Sequence, residues 1–282
     1  MVFAPTPLQG PVLGSHAPRR LAALATACAL AAATCLLVLL APAPARAEGP
    51  GEGTPWVVSL GDSYISGEAG RWAGNTNESP SWIDALGETA YYDNSTHTAE
   101  LIPGCHRSRS AEVYVGGGVE GENLACSGAK TSSFTNSEGE FKPGLDFYNS
   151  GGHEGQALML EKFAKAHNVK LVAVSIGGNN YNFASIVQTC IEDFLLTPEW
   201  WPSYCKDEES VLANFTSSNI TTQTNAIKGA IENVAKAMSN AGYTTSKYAI
   251  LVQDYPSPIP NGSGFRYAQS GYTRQVYMEM VP

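Results

Sequence analysis

Val169-Lys-Leu-Val-Ala-Val-Ser-Ile176, followed at once by Gly177-Gly178-Asn179-Asn180, is the stretch on which the fold turns. It is a nearly continuous apolar run that stops at two glycines. Runs of this kind suit a strand covered on both faces, as strands of parallel sheets are. Just upstream, Glu154 to His167 reads as a helix with Asn168 as its stop. Downstream, Ile220, Ile227, Ile231, Val234, Ala235 and Met238 recur at spacings of three, four and seven, which predicts an amphipathic helix closed by Gly242. Tyr248 to Val252 is a further buried strand, and Asp254 to Pro260 leaves it as a loop. At the other end, Trp56-Val-Val-Ser-Leu60 is a short apolar strand stopped by Gly61. Strand, helix and strand in alternation predict an α/β sandwich with a mainly parallel sheet. Residues 71–121 show little periodicity but carry Trp72, Trp82, Tyr91 and Tyr92 to bury, so they read as a long ordered loop. There is no internal repeat.

The first 47 residues read differently. Arg19 and Arg20 precede an apolar run from Leu21 to Leu40, and Ala45-Arg46-Ala47 closes it in a small-x-small pattern. This predicts an export signal removed after Ala47. The apolar run exceeds the usual length, so an uncleaved envelope anchor is the competing reading. The arginine pair also raises twin-arginine export, although its surroundings match that motif poorly. The expected organisation is a signal peptide over 1–47 and one catalytic domain over 48–282, with no stable membrane span after signal removal. The whole chain carries a formal charge of −9. Arg19, Arg20 and Arg46 are the only charged residues among the first 47, so the remainder carries three fewer positive charges, −12. A chain that acidic lacks the positive charge that nucleic acid or an anionic membrane requires.

Cys28 and Cys35 lie in the predicted signal, which leaves Cys105, Cys126, Cys190 and Cys205. An even count in an exported chain predicts disulfides. Three pairings are possible; Cys105–Cys126 with Cys190–Cys205 is the expected one, each bridge contributing about 3 kcal/mol in the chain-entropy model. Zinc is the rival, but no C-x-x-C pair occurs and the histidines are not spaced to complete a site.

Three segments rich in glycine and small polar residues are candidates for chemistry. Gly61-Asp62-Ser63-Tyr64-Ile65-Ser66-Gly67 follows the first strand directly. A serine there is exposed for attack, and its own N–H lies near a helix start that favours developing negative charge. The same residues also serve as ordinary turn and cap residues. Asn123-Leu-Ala-Cys-Ser-Gly-Ala129 offers the N–H of Gly128, or is simply a turn beside a disulfide. Ser175-Ile-Gly-Gly-Asn-Asn180 offers the carboxamide of Asn179, or an asparagine that stabilises a strand exit.

Together the three segments resemble the SGNH (GDSL-type) hydrolase superfamily, from about Trp56 to Tyr272. Gly104-Cys-His-Arg-Ser108 and Ala125-Cys-Ser-Gly-Ala129 look like its secreted actinobacterial esterase and lipase branch. The resemblance implies a flavodoxin-like three-layer α/β/α sandwich. It implies Ser63 as nucleophile, and the Ser63 N–H, the Gly128 N–H and the Asn179 side chain as oxyanion donors. It implies cleavage of carboxylic esters through an acyl-enzyme, with a small-molecule or lipid ester as substrate and no metal or cofactor. A serine needs an adjacent base, and the family supplies it from a C-terminal D-x-x-H. No such motif occurs here, and no histidine follows His167. His97, His106, His153 and His167 lack the family's position; His106 reads as structural and His167 as a helix-end cap. The family's G-x-N-D is also altered, with Asn180 in place of the acid. The sequence is therefore expected to be truncated, frame-shifted or one portion of a longer enzyme, and its fold incomplete at the C-terminus. The alternative is a pseudo-enzyme that keeps the fold and a ligand pocket.

Sequons at Asn77, Asn94, Asn214, Asn219 and Asn261 are of the kind a Thr/Asn-rich chain produces by chance. Phe194, Leu195, Leu196, Trp200 and Trp201 offer either an apolar wall for an acyl chain or core packing.

Overall fold

The computed structural model describes residues 49–69, 87–196, 201 and 203–256. The predicted signal segment, its cleavage point, Trp72, Trp82, Trp200 and the Asn77 and Asn261 sequons lie outside these residues. Four strands form one parallel sheet: β1 (Pro55–Gly61), β2 (Glu120–Asn123), β7 (Asn168–Ser175) and β8 (Ala249–Val252), in the order β2-β1-β7-β8. Two small antiparallel hairpins, β3 (Phe134–Thr135) with β4 (Phe141–Lys142) and β5 (Asn149–Ser150) with β6 (His153–Glu154), precede the main helix pair. The helices are α1 (Ser63–Ser66), α2 (Gln156–Ala166), α3 (Phe183–Leu196), α4 (Glu209–Leu212) and α5 (Ser217–Asn240).

Alternation along the central strands decides the two faces. Val58, Leu60, Val172 and Val174 are fully buried with Leu160 of α2 and Val234, Ala237 and Met238 of α5. Each such side chain contributes about 1.5–3 kcal/mol of burial free energy. Val57 and Leu171 face the other way, and among the described residues they pack against Ala111, Val113 and Val119 of the connection to β2.

The predicted helix over 154–167 is observed over Gln156–Ala166, and Asn168 opens β7 instead of merely stopping the helix. Helix α5 begins at the Thr216 cap, whose hydroxyl accepts from the Asn219 N–H. It ends as predicted at Gly242, with Tyr243 N–H donating to the Met238 carbonyl and Gly242 N–H to that of Ser239, a Schellman closure. Both expected disulfides form, Cys105–Cys126 and Cys190–Cys205. The second braces a small separate cluster of Ile186, Cys190, Cys205 and Val211. The expected ordered loop over 71–121 is described only from residue 87: there Tyr91 is buried, and buried Arg107 donates to the carbonyls of Ala125 and Leu124. Among the described residues no helix is long and apolar enough to cross a membrane.

The chain leaves β1 for β2 on one side and later returns to β7 on the other. The order reverses between β1 and β7, and in sheets of this kind ligands bind beyond the carboxyl ends of the strands at such a point.

Candidate active site

All three segments singled out in the sequence leave carboxyl ends of adjacent strands. The second of them leaves β2, a strand that hydrophobic patterning does not reveal because it reads Glu120-Gly-Glu-Asn123 at the sheet edge.

The first segment is fixed by Gly61. Its φ of +136° suits glycine, and a Cβ there would sit 1.8 Å from the Ser175 carbonyl oxygen. Gln156, wholly buried at the start of α2, grips both sides of this residue. Its Oε1 accepts from the Gly61 N–H at 2.7 Å, and its Nε2 donates to the Gly61 carbonyl at 2.9 Å and to that of Pro143 at 2.8 Å. The Asp62 N–H donates to the Ser175 carbonyl at 3.0 Å. Asp62 then caps the single turn of α1, its carboxylate accepting from the Tyr64 N–H at 3.2 Å, and Ser63 follows half-buried as the first helical residue.

The second segment turns back after Cys126, whose N–H donates to the Gly61 carbonyl at 3.0 Å. Gly128 has φ +77°, and the Ala129 N–H returns to the Cys126 carbonyl at 3.0 Å. The third segment ends in a 3-10 turn over Gly178–Tyr181. Asn179 Nδ2 carries two hydrogens and gives one to the Ala129 carbonyl at 2.9 Å, next to Gly128. Asn180, which stands where an acid was expected from the resemblance, works as a brace. Its Oδ1 accepts from the Thr131 N–H, and its Nδ2 donates to Thr131 Oγ1 and Gln223 Oε1.

Tyr255, in the loop leaving β8, ties the first segment to the third. Its hydroxyl donates to Asp62 Oδ2 at 2.5 Å and accepts from the Gly178 N–H at 3.1 Å. Its ring meets that of Tyr64 edge-on at 4.9 Å, and Tyr64 meets Phe183 of α3 at 5.9 Å. Burial dominates the Asp62 carboxyl and pushes its pKa up to about 6, despite the bonds from Tyr255 and Tyr64 that favour the ionised form. Burial, with the charge of Asp62, holds the Tyr255 hydroxyl protonated well beyond its ordinary range.

Each of the four later histidines has partners of its own. His97 Nδ1 meets the Tyr92 carbonyl at 3.2 Å. His106 Nδ1 lies 2.6 Å from Glu68 Oε1, and its ring stacks on Tyr91. His153 stacks on Phe141. His167 Nδ1 meets the Phe163 carbonyl at 2.9 Å at the end of α2, the helix-end role read from the sequence.

Of the apolar wall candidates, Leu196 and Trp201 are described and exposed. A groove of about 440 Å³ lies along α5, with Thr131, Asp146, Asn225, Asn233 and Lys236 in its walls; Ser63 does not line it. The hydrogen-bonded convergence of loops is the better marker of the site, because it sits where the strand order reverses. Gln156, Tyr255 and Glu68 are the braces that sequence reading missed, and nothing in their local sequence marks them.

No family model and no curated protein matches the chain. Two solved structures are similar to it. An extracellular lipase from Streptomyces rimosus is 22% identical with a TM-score of 0.37, over 80% of this chain and 70% of the other. Phospholipase A1 from Streptomyces albidoflavus NA297 is 19% identical with a TM-score of 0.34, over 79% of this chain and 67% of the other.

Proposed function

We propose that this chain is an exported serine ester hydrolase of SGNH type, with Ser63 as the nucleophile. One observation carries the reading: the turn that presents Ser63, the turn that bears Gly128 and the turn that bears Asn179 are hydrogen-bonded to one another at the carboxyl edge of β2, β1 and β7. In the proposed reaction Ser63 Oγ adds to the ester carbonyl carbon and passes its proton to a base. The carbonyl oxygen becomes an oxyanion, held by the N–H groups of Ser63 and Gly128 and the second N–H of Asn179. Collapse expels the alcohol, which takes up a proton, and water then hydrolyses the acyl-enzyme by the same route in reverse. Losing one such donor typically costs ~10²–10³ in rate. The reading assigns the base to none of His97, His106, His153 and His167: His106 is engaged with Glu68, and the other three meet Tyr92, Phe141 and Phe163. Export is supported by the two disulfides, which persist in oxidising compartments.

The test is release of p-nitrophenol from short-chain p-nitrophenyl esters by the purified chain and by Ser63→Ala. The reading requires release by the first and none above background by the second. Release unchanged by Ser63→Ala removes the nucleophile assignment.

A further inference from the structure

Glu68 lies directly behind the Ser63 turn and joins it to the Gly128 turn. Its own N–H donates to the Ser63 carbonyl at 3.3 Å. One carboxylate oxygen accepts from Ser127 Oγ at 2.6 Å, one residue before Gly128. The other lies 2.6 Å from His106 Nδ1. The main-chain N–H groups of Cys126, Ser127 and Ala129, the Cys105–Cys126 bridge and the Asn179 side chain hold the Gly128 turn, and Glu68 adds a side-chain tie from the Ser63 turn through a carboxylate whose two oxygens are both taken.

We infer that Glu68 is a positioning residue for the proposed oxyanion hole, holding the Gly128 turn against the Ser63 turn, and that His106 sets how firmly it does so. This deepens the ester hydrolase reading and rests on it. The groups around His106 come from every neighbouring element. Glu68 follows α1, and Tyr91 stacks on the ring at 4.6 Å from the 3-10 turn Gly87–Tyr91. Glu100 Oε1 lies 3.9 Å from His106 Nε2, from the loop before β2. Lys142 of β4 contributes an opposing positive charge; its Nζ is paired with Glu140 at 3.0 Å and donates to the Gly104 carbonyl at 2.7 Å. Two carboxylates against one lysine favour an imidazolium.

The hydrogen bond to Glu68, against the opposing effect of burial, raises the His106 pKa above its ordinary 6.5. Burial alone raises that of Glu68, but the bonds from His106 and Ser127 prevail and hold it below 4.5. The charged pair therefore spans the interval between those values. It is fullest below the elevated value of His106 and weakens as pH rises through that value.

The experiment follows amide hydrogen exchange of residues 126–129 in the full chain from pH 5 to 9, corrected for intrinsic exchange, alongside p-nitrophenyl acetate turnover. Wild type is expected to lose protection at these residues as pH rises above 6.5. Glu68→Gln is expected to raise exchange there about tenfold at pH 6, and to lower kcat about tenfold with KM within twofold, a smaller loss than deletion of a donor. His106→Gln is expected to abolish the pH-dependent step while the fold, read by melting temperature, is retained. Exchange at 126–129 that ignores both substitutions and pH overturns the inference, whether or not the chain turns over ester. An inert wild type, or activity that survives Ser63→Ala, counts against the hydrolase reading and leaves the exchange result to decide the role of Glu68.

Discussion

Tyr255 and Asp62, 193 residues apart, meet through one hydrogen bond: the tyrosine hydroxyl donates to Asp62 Oδ2 while it accepts from the Gly178 N–H. A single side chain from the loop after β8 thus ties together the strand exits of both β1 and β7. Tyr255→Phe keeps the ring packed on Tyr64 and removes both bonds. It is expected to destabilise the fold by about 1–3 kcal/mol, the cost of leaving buried polar groups unpaired. Urea denaturation measures this, and kcat on p-nitrophenyl esters is expected to fall while KM changes little.

The raised pKa of Asp62 has a defined sign. Its folded value, about 6, lies above the ordinary 3.8, so the neutral carboxyl favours the folded state. The stability it contributes is complete below pH 3.8 and is lost as pH rises through 6. The full displacement is equivalent to about 3 kcal/mol. Asp62→Asn cannot ionise, so its stability relative to wild type is expected to improve between pH 4 and pH 7. Denaturation curves at both values check this; a constant difference contradicts it.

Gly61 and Gln156 set the geometry at the Ser63 turn. Gly61→Ala drives a Cβ into the Ser175 carbonyl and is expected to cost about 3 kcal/mol. Gln156→Leu fills similar space but removes the side-chain partner of the Gly61 N–H and of the Pro143 carbonyl, while the Gly61 carbonyl keeps the Cys126 N–H, at about 1–3 kcal/mol per group left unpaired. Thermal melting ranks both variants below wild type.

The two disulfides are expected to separate stability from activity. Each closes a loop worth about 3 kcal/mol. Cys126 sits on the Gly128 turn and donates its N–H to Gly61, whereas Cys190–Cys205 braces its own small cluster. The Cys105→Ser/Cys126→Ser pair is expected to lower kcat. Cys190→Ser/Cys205→Ser is expected to lower the melting point with kcat retained below the transition.

The sheet was legible where burial is two-sided. Val169–Ile176 and Trp56–Leu60 are apolar because they are covered, and α5 shows its stripe because one face packs on the sheet. Tyr248–Val252, read as a buried strand, instead lies at the edge of the described sheet with Leu251 and Val252 about half exposed. β2 was not legible, since Glu120-Gly-Glu-Asn123 pairs through its backbone at the sheet edge and buries little. The helix Phe183–Leu196 was also missed; its residues read only as apolar candidates near a disulfide. Within the site, Ser63, Gly128 and Asn179 stand out as motif residues on turns. Their braces do not, because each acts on a partner far along the chain: Gln156 on Gly61 across 95 residues, Glu68 on Ser127 across 59 and Tyr255 on Asp62 across 193. No local pattern encodes such pairs.

Covalent labelling tests the central claim most directly. The chain is treated with a fluorophosphonate, which phosphonylates an activated serine hydroxyl, then digested and weighed by mass spectrometry. The account predicts a single adduct on the peptide containing Ser63, absent from Ser63→Ala and slowed in Asn179→Ala. An adduct on a different residue, or equal labelling of wild type and Ser63→Ala, contradicts it.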